Sequence, residues 1–80
     1  MSGHYPLLDY DQVISILKSL EFSIKRQVGS HEQWEGYTKK QRRIVTVDYL
    51  KSKKEKYSHA LTKKMIEQSG LTKKEFYSYL

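Results

Sequence analysis

The residue of this sequence best suited to acid–base chemistry is His31, which follows a Gly29-Ser30 turn signal and has basic residues on either side of it. Lys25 and Arg26 precede it; Lys39, Lys40, Arg42 and Arg43 follow. With an ordinary pKa of ~6.5, an imidazole can accept a proton near neutral pH. In RNA the neighbouring 2′-OH is an internal nucleophile, so one base plus cations facing the developing phosphorane could cut a phosphodiester without a metal. The same residues also fit an ordinary turn histidine on a solvated basic surface, and spacing alone does not choose between the two. His4 and His59 stand apart from His31, no histidines are spaced i, i+4, and the carboxylates are scattered singly, so a dedicated metal site is not expected. No glycine-rich phosphate loop is present. Trp34, Tyr37, Tyr49 and Tyr57 could stack on bases or pack as core and rim; Trp34 is assigned to the core. Tyr77 and Tyr79 read as packing or partner surface. Lys51, Lys53, Lys54 and Lys56 read as a solvated loop.

Composition narrows the partners. In 80 residues, 15 Lys and Arg outnumber nine Asp and Glu, for a formal net charge of +6. That excess favours a polyanion: nucleic acid, an anionic membrane surface or an acidic protein. The chain has no cysteine, which excludes a disulfide framework, a thiolate zinc site and a cysteine nucleophile. Apolar runs are too short to span a bilayer, and residues 1–8 lack the features of a secretory signal. A cytoplasmic single domain over 1–80 is expected, with 1–8 a flexible lead-in.

The elements that must position His31 follow from periodicity. Val13, Ile16, Leu17 and Leu20 form a helical stripe, with Asp9 and Gln12 placed for a capping box, predicting a helix over 10–20. The period then changes to two: Phe22, Ile24 and Val28 alternate with polar residues in a first strand. A second strand runs from His31 to Tyr37, Thr38-Lys39-Lys40-Gln41 makes a turn, and residues 42–49 form a third, β-branched strand. Leu61, Met65 and Ile66 supply a helix edge ending at Gly70, and Thr72 with Glu75 opens a short last helix. The expected fold is α+β: a three-stranded antiparallel sheet covered on one face by helices.

Register decides where His31 points. A strict two-residue hairpin at Gly29-Ser30 would put His31 on the face of Phe22 and Ile24, together with Gln33 and Glu35. A one-residue slip exchanges every face of a strand. A three-residue or bulged connection instead lets Trp34 join Phe22 and Ile24 in the core and turns His31 outward near Lys25 and Gln27. The second register is preferred.

The ordered set of these features resembles the HicA (YcfA-like) toxin family. An apolar helix leads into Phe22-Ser-Ile-Lys-Arg-Gln-Val-Gly-Ser-His31, Trp34 falls at an aromatic or aliphatic position, Val45-Thr46-Val47 is similar to the family's third strand, and Met65-Ile-Glu-Gln-Ser-Gly-Leu71 is similar to its C-terminal helix and stop. The match covers about residues 10–77. It implies an α-β-β-β-α fold similar to the double-stranded RNA-binding domain. The implied activity is a metal-independent mRNA interferase, needing no cofactor and depending on His31, as the toxin of a type II toxin–antitoxin system. The implied partners are single-stranded mRNA and a HicB-type antitoxin that blocks the active face, the toxin being a monomer alone and a hetero-oligomer with its antitoxin.

On this reading Lys25, Arg26, Gln27, Ser30, Lys39, Lys40, Arg42 and Arg43 contact the RNA. The chain departs from the pattern at Glu21, where a glycine is frequent, at Asp48, commonly proline, and at Leu50, where many members carry a second histidine. A weaker enzyme, a different acid such as Lys or Tyr, and a non-catalytic RNA-binding module all remain compatible with the loss at Leu50. His59 is a further candidate for the acid, or an N-terminal packing residue of its helix. A protein-interaction domain meeting an acidic partner is a third reading.

Overall fold

Helix α1 (Tyr10–Ser19) starts where the sequence places a cap: the Asp9 carboxylate accepts from the Gln12 N–H at 2.8 Å, and Gln12 Oε1 accepts from the Asp9 N–H at 3.0 Å. It buries Val13, Ile14, Ile16 and Leu17. At its exit Glu21 takes a left-handed φ of 66°, a conformation glycine adopts without strain.

The computed structural model describes residues 5–52 and 54–80. Strands β1 (Ser23–Val28), β2 (His31–Thr38) and β3 (Gln41–Asp48) form an antiparallel meander in the order β1-β2-β3. Helix α2 (His59–Ser69), capped by Ser58, and the short α3 (Lys73–Ser78), with the Thr72/Glu75 capping box, complete the α-β-β-β-α-α order. Among the described residues no helix is long and apolar enough to cross a membrane.

The hairpin corrects the expected connection. Val28 pairs directly with His31, so the turn at Gly29-Ser30 is the strict two-residue one. The positive φ of Gly29 (61°) suits the first central position of such a turn. The irregularity lies deeper, as a bulge in β1 between Ile24 and Arg26. One extra residue there exchanges the faces of the strand on either side of it. His31 therefore faces outward while Trp34, opposite Ile24, is buried with Phe22. Ile24 does not join the core as expected; it is 46% exposed at the uncovered end of β1. Gln27 pairs with Glu32, on the other side of the sheet from His31, rather than beside it.

Trp34, Val45 and Val47 meet α1 and the buried Met65, Ile66 and Phe76 on the covered face. A Cβ on Gly36 would clash with the Phe22 ring, within 2.7 Å of three of its carbons, so β2 needs a glycine where that ring crosses it. At the far turn Lys39 and Lys40 both have positive φ, the conformation of a type I′ turn built without its usual glycine. His4 and the rest of residues 1–4 lie outside the described residues, as does Lys53. Within residues 5–8, Leu8 is fully buried and the Tyr77 hydroxyl donates to the Pro6 carbonyl at 2.8 Å, while Pro6 and Leu7 are exposed.

Candidate active site

His31 opens β2 and Asp48 closes β3, and the antiparallel register makes them cross-strand neighbours. Nδ1 of His31 lies 2.6 Å from Oδ1 of Asp48. The His31 side chain is 62% exposed, so the ring is held at one nitrogen and open to solvent elsewhere. A carboxylate that holds Nδ1–H leaves Nε2 as the nitrogen with a free lone pair.

Four contacts steady this end of the sheet. The Tyr49 N–H donates to the Ser30 carbonyl at 2.7 Å, extending the strand contact past Asp48 to the turn. The Tyr57 hydroxyl donates to the Asp48 carbonyl at 2.5 Å. Burial first, then the neighbouring Tyr10, Asp48 and Glu32, push the Tyr57 hydroxyl well above the ordinary tyrosine range, so it stays a donor. Behind His31, Glu32 is buried on the covered face, where its carboxylate accepts from the Tyr10 hydroxyl (2.8 and 2.9 Å) and from Trp34 Nε1 (2.9 Å). A buried carboxylate is tolerated when donors satisfy its oxygens.

His31 and Asp48 form one wall of a groove of about 230 Å³, completed by Thr46, Tyr57, Leu61, Lys64, Met65 and Gln68. Among the described residues no group of three or more His, Asp or Glu is placed to hold a metal ion.

The sequence-predicted RNA contacts are not gathered around this groove. Glu35, on the same face of β2 as His31, ion-pairs with both Arg42 and Lys25, the latter at 3.5 Å. The Arg42 hydrogen bond dominates in holding the Glu35 carboxyl below its usual range. Lys39 pairs with Glu75 at 3.0 Å. The turn carrying Lys39 and Lys40 sits at the opposite end of β2 from His31, roughly 23 Å away at ~3.3 Å per strand residue.

Arg43 is turned to the covered face, its guanidinium packed where a side chain on Gly70 would stand and its Nε buried with no hydrogen-bond partner. This corrects its expected place beside Arg42: adjacent strand residues point to opposite faces. Its charge faces the C-terminal end of α2, where carbonyl dipoles favour a cation. Arg26, Gln27 and Ser30 are exposed near the turn.

Trp34 and Tyr57 are core, while Tyr37 is 69% exposed and Tyr49 rests edge-on against Tyr10 at 5.0 Å. Lys51 and Lys54 are exposed, and Lys56 lies 3.6 Å from Asp9. His59 is exposed at the start of α2 and lines a different hollow, with Tyr5 and Tyr77.

Sequence reasoning missed Glu32, Lys64 and Gln68. Leu61, Lys64, Met65 and Gln68 fall on one helical face, which the spacing shows; that this face borders His31 is a matter of tertiary placement.

A small basic α+β domain with a three-stranded sheet and an outward histidine is the class this fold and site define. Residues 10–71 match the model of the HicA toxin family, described as the HicA toxin of bacterial toxin–antitoxin systems. The chain belongs to that family, and membership implies an antitoxin partner. No curated protein and no solved structure matches the chain.

Proposed function

We propose that the protein is a metal-independent mRNA interferase in which His31 is the general base, with a HicB-type antitoxin covering the His31 face. The observation that carries this reading is the 2.6 Å pairing of His31 Nδ1 with Asp48 on an open sheet face. It points Nε2 away from its anchor, where it can take the proton of an RNA 2′-OH. The 2′-oxygen then attacks the adjacent phosphorus, the P–O5′ bond breaks, and the leaving oxygen takes a proton from an acid or from water. The product is a 2′,3′-cyclic phosphate and a free 5′-OH. The open geometry suits a substrate that brings its own nucleophile.

The test is cleavage of single-stranded RNA by wild type and His31→Ala in EDTA. Wild type is expected to cut and the variant to lose activity by about 10²–10⁴-fold, the usual contribution of a general base. Equal cutting by the two proteins, or a strict Mg²⁺ requirement, would refute the mechanism.

A second reading, a non-catalytic RNA-binding module, is favoured by one observation. Leu50, where many relatives carry a second histidine, packs against the core instead. Salt-dependent RNA binding with no fragments at high protein concentration would select it.

A further inference from the structure

We infer that the groove between β3 and α2 receives the scissile phosphate, with Lys64 as its counter-charge. The inference rests on the nuclease reading for the identity of the phosphate as scissile, but the groove and its charge are features of the fold itself.

One bond marks how α2 is aligned with β3. The Thr46 N–H on the sheet's edge strand donates to Gln68 Oε1 at 2.9 Å. Moving back one helical turn from Gln68 to Lys64 covers ~6 Å at 1.5 Å per residue. Moving forward from Thr46 to Asp48 covers ~6.6 Å at about 3.3 Å per residue. The two steps match, so Lys64 comes abreast of Asp48 and hence of its partner His31. Thr46, Asp48, His31, Lys64 and Gln68 all line the same groove.

Charge and position together separate Lys64 from the other candidates: Arg26 and Lys40 are exposed without an ion pair among the described residues, but neither lines the groove. Lys25 and Arg42 share Glu35, Lys39 is paired with Glu75, and Arg43 is turned to the covered face. Lys64 is exposed and makes no ion pair among the described residues. An anion entering the groove beside Asp48 needs such a cation, because the carboxylate repels it. The Thr46 hydroxyl, on the His31 face of β3, adds a neutral donor. A phosphodiester seated there would have one oxygen toward Lys64 and its ribose toward Nε2 of His31.

The experiment compares wild type, Lys64→Gln, Lys64→Arg and the control Lys63→Gln, whose side chain lines a different hollow. Cleavage rates are measured on RNA, and binding is followed by amide chemical shifts on a 2′-O-methyl RNA oligonucleotide, which lacks the nucleophilic hydroxyl. Lys64→Gln is expected to lose about 10²-fold in kcat, as when one transition-state donor is removed, and to lower the salt slope of binding by about 0.7–1. Lys64→Arg should recover part of both, Lys63→Gln should behave as wild type, and the oligonucleotide should shift Thr46, Lys64 and Gln68.

A Lys64→Gln variant that cuts and binds as wild type overturns the inference. If wild type leaves RNA uncut, the nuclease reading falls, and binding alone judges the phosphate site. Shifts at Thr46 and Gln68 with a reduced slope in Lys64→Gln then support it; shifts confined to Lys25, Arg26 and Arg42 overturn it.

Discussion

Asp48 stands directly across the sheet from His31 and holds its Nδ1 at 2.6 Å. The carboxylate gives the imidazole a fixed acceptor at Nδ1. Asp48→Asn keeps the size of the group but can present an amide N–H to the ring, favouring the tautomer in which Nδ1 accepts and Nε2 carries the hydrogen. Cleavage is expected to fall about 10–100-fold, part of what a general base supplies, with a smaller change in KM. Histidine ¹⁵N shifts check the cause: a variant with the wild-type tautomer and wild-type kcat would remove Asp48 from the mechanism.

Glu35 predicts a change in the opposite direction. It ion-pairs with both Lys25 and Arg42 on the His31 face, offsetting one of their two charges. Glu35→Gln releases both cations, so RNA affinity at low salt should rise and the salt slope should steepen by up to about two phosphate contacts. Filter binding across a salt series reads this, and unchanged binding would show that neither cation reaches RNA.

The capped helix starts were legible because their signals are local: Asp9 with Gln12 and Thr72 with Glu75 lie within one turn of each other. The outward direction of His31 was legible as well, since burying Trp34 requires it. The path to that outcome was not. The register change sits in β1 beyond Ile24 rather than at the Gly29-Ser30 turn, and strand pairing depends on contacts between residues far apart in sequence, such as the Phe22 ring over Gly36. Arg42 and Arg43 look equivalent in sequence, yet register puts one on each face. Lys64 escaped notice because a helix pattern shows which residues share a side, while which strand lies beside that side is a matter of tertiary placement, seen here in Gln68 reaching Thr46.

Glu21 carries a cost that a single substitution should remove. Its φ of 66° places a side chain in the left-handed region, where a non-glycine residue costs on the order of 1 kcal/mol or more. The side chain is exposed, so Glu21→Gly sacrifices no core packing. Urea unfolding is expected to show a gain of about 0.5–1 kcal/mol, with cleavage unchanged. A loss of stability would mean that the exposed glutamate makes a contribution beyond its backbone conformation.

Acid should weaken the fold through two carboxylates. Glu35 is held low mainly by Arg42, and Glu75 mainly by the Thr72 backbone N–H and then Lys39. For groups whose folded pKa is depressed, the contribution is present above the unfolded value of ~4.3 and is lost as pH falls through the folded one. Melting temperature should therefore hold from neutrality to about pH 5 and decline below about pH 4. The double variant Glu35→Gln/Glu75→Gln should show a flatter acid limb; a limb as steep as wild type would place the acid sensitivity in other groups.

Tyr57 acts at the other end of the pH scale and ties stability to the site. Its hydroxyl is raised by burial first, and Tyr10 is raised by burial and by Glu32. A raised folded pKa means the stabilising contribution is complete below the unfolded value of ~10 and is lost as pH climbs beyond it. The wild-type melting temperature should thus fall above about pH 10, with tyrosinate absorbance appearing as the protein unfolds. Tyr57→Phe removes one titrating group and the 2.5 Å bond to the Asp48 carbonyl. It should be about 1 kcal/mol less stable near neutrality and should lose less on passing to high pH. Because that bond fixes the backbone of the residue holding His31, cleavage near neutrality should fall as well, through kcat more than KM. A variant with lowered stability but full kcat would confine Tyr57 to packing.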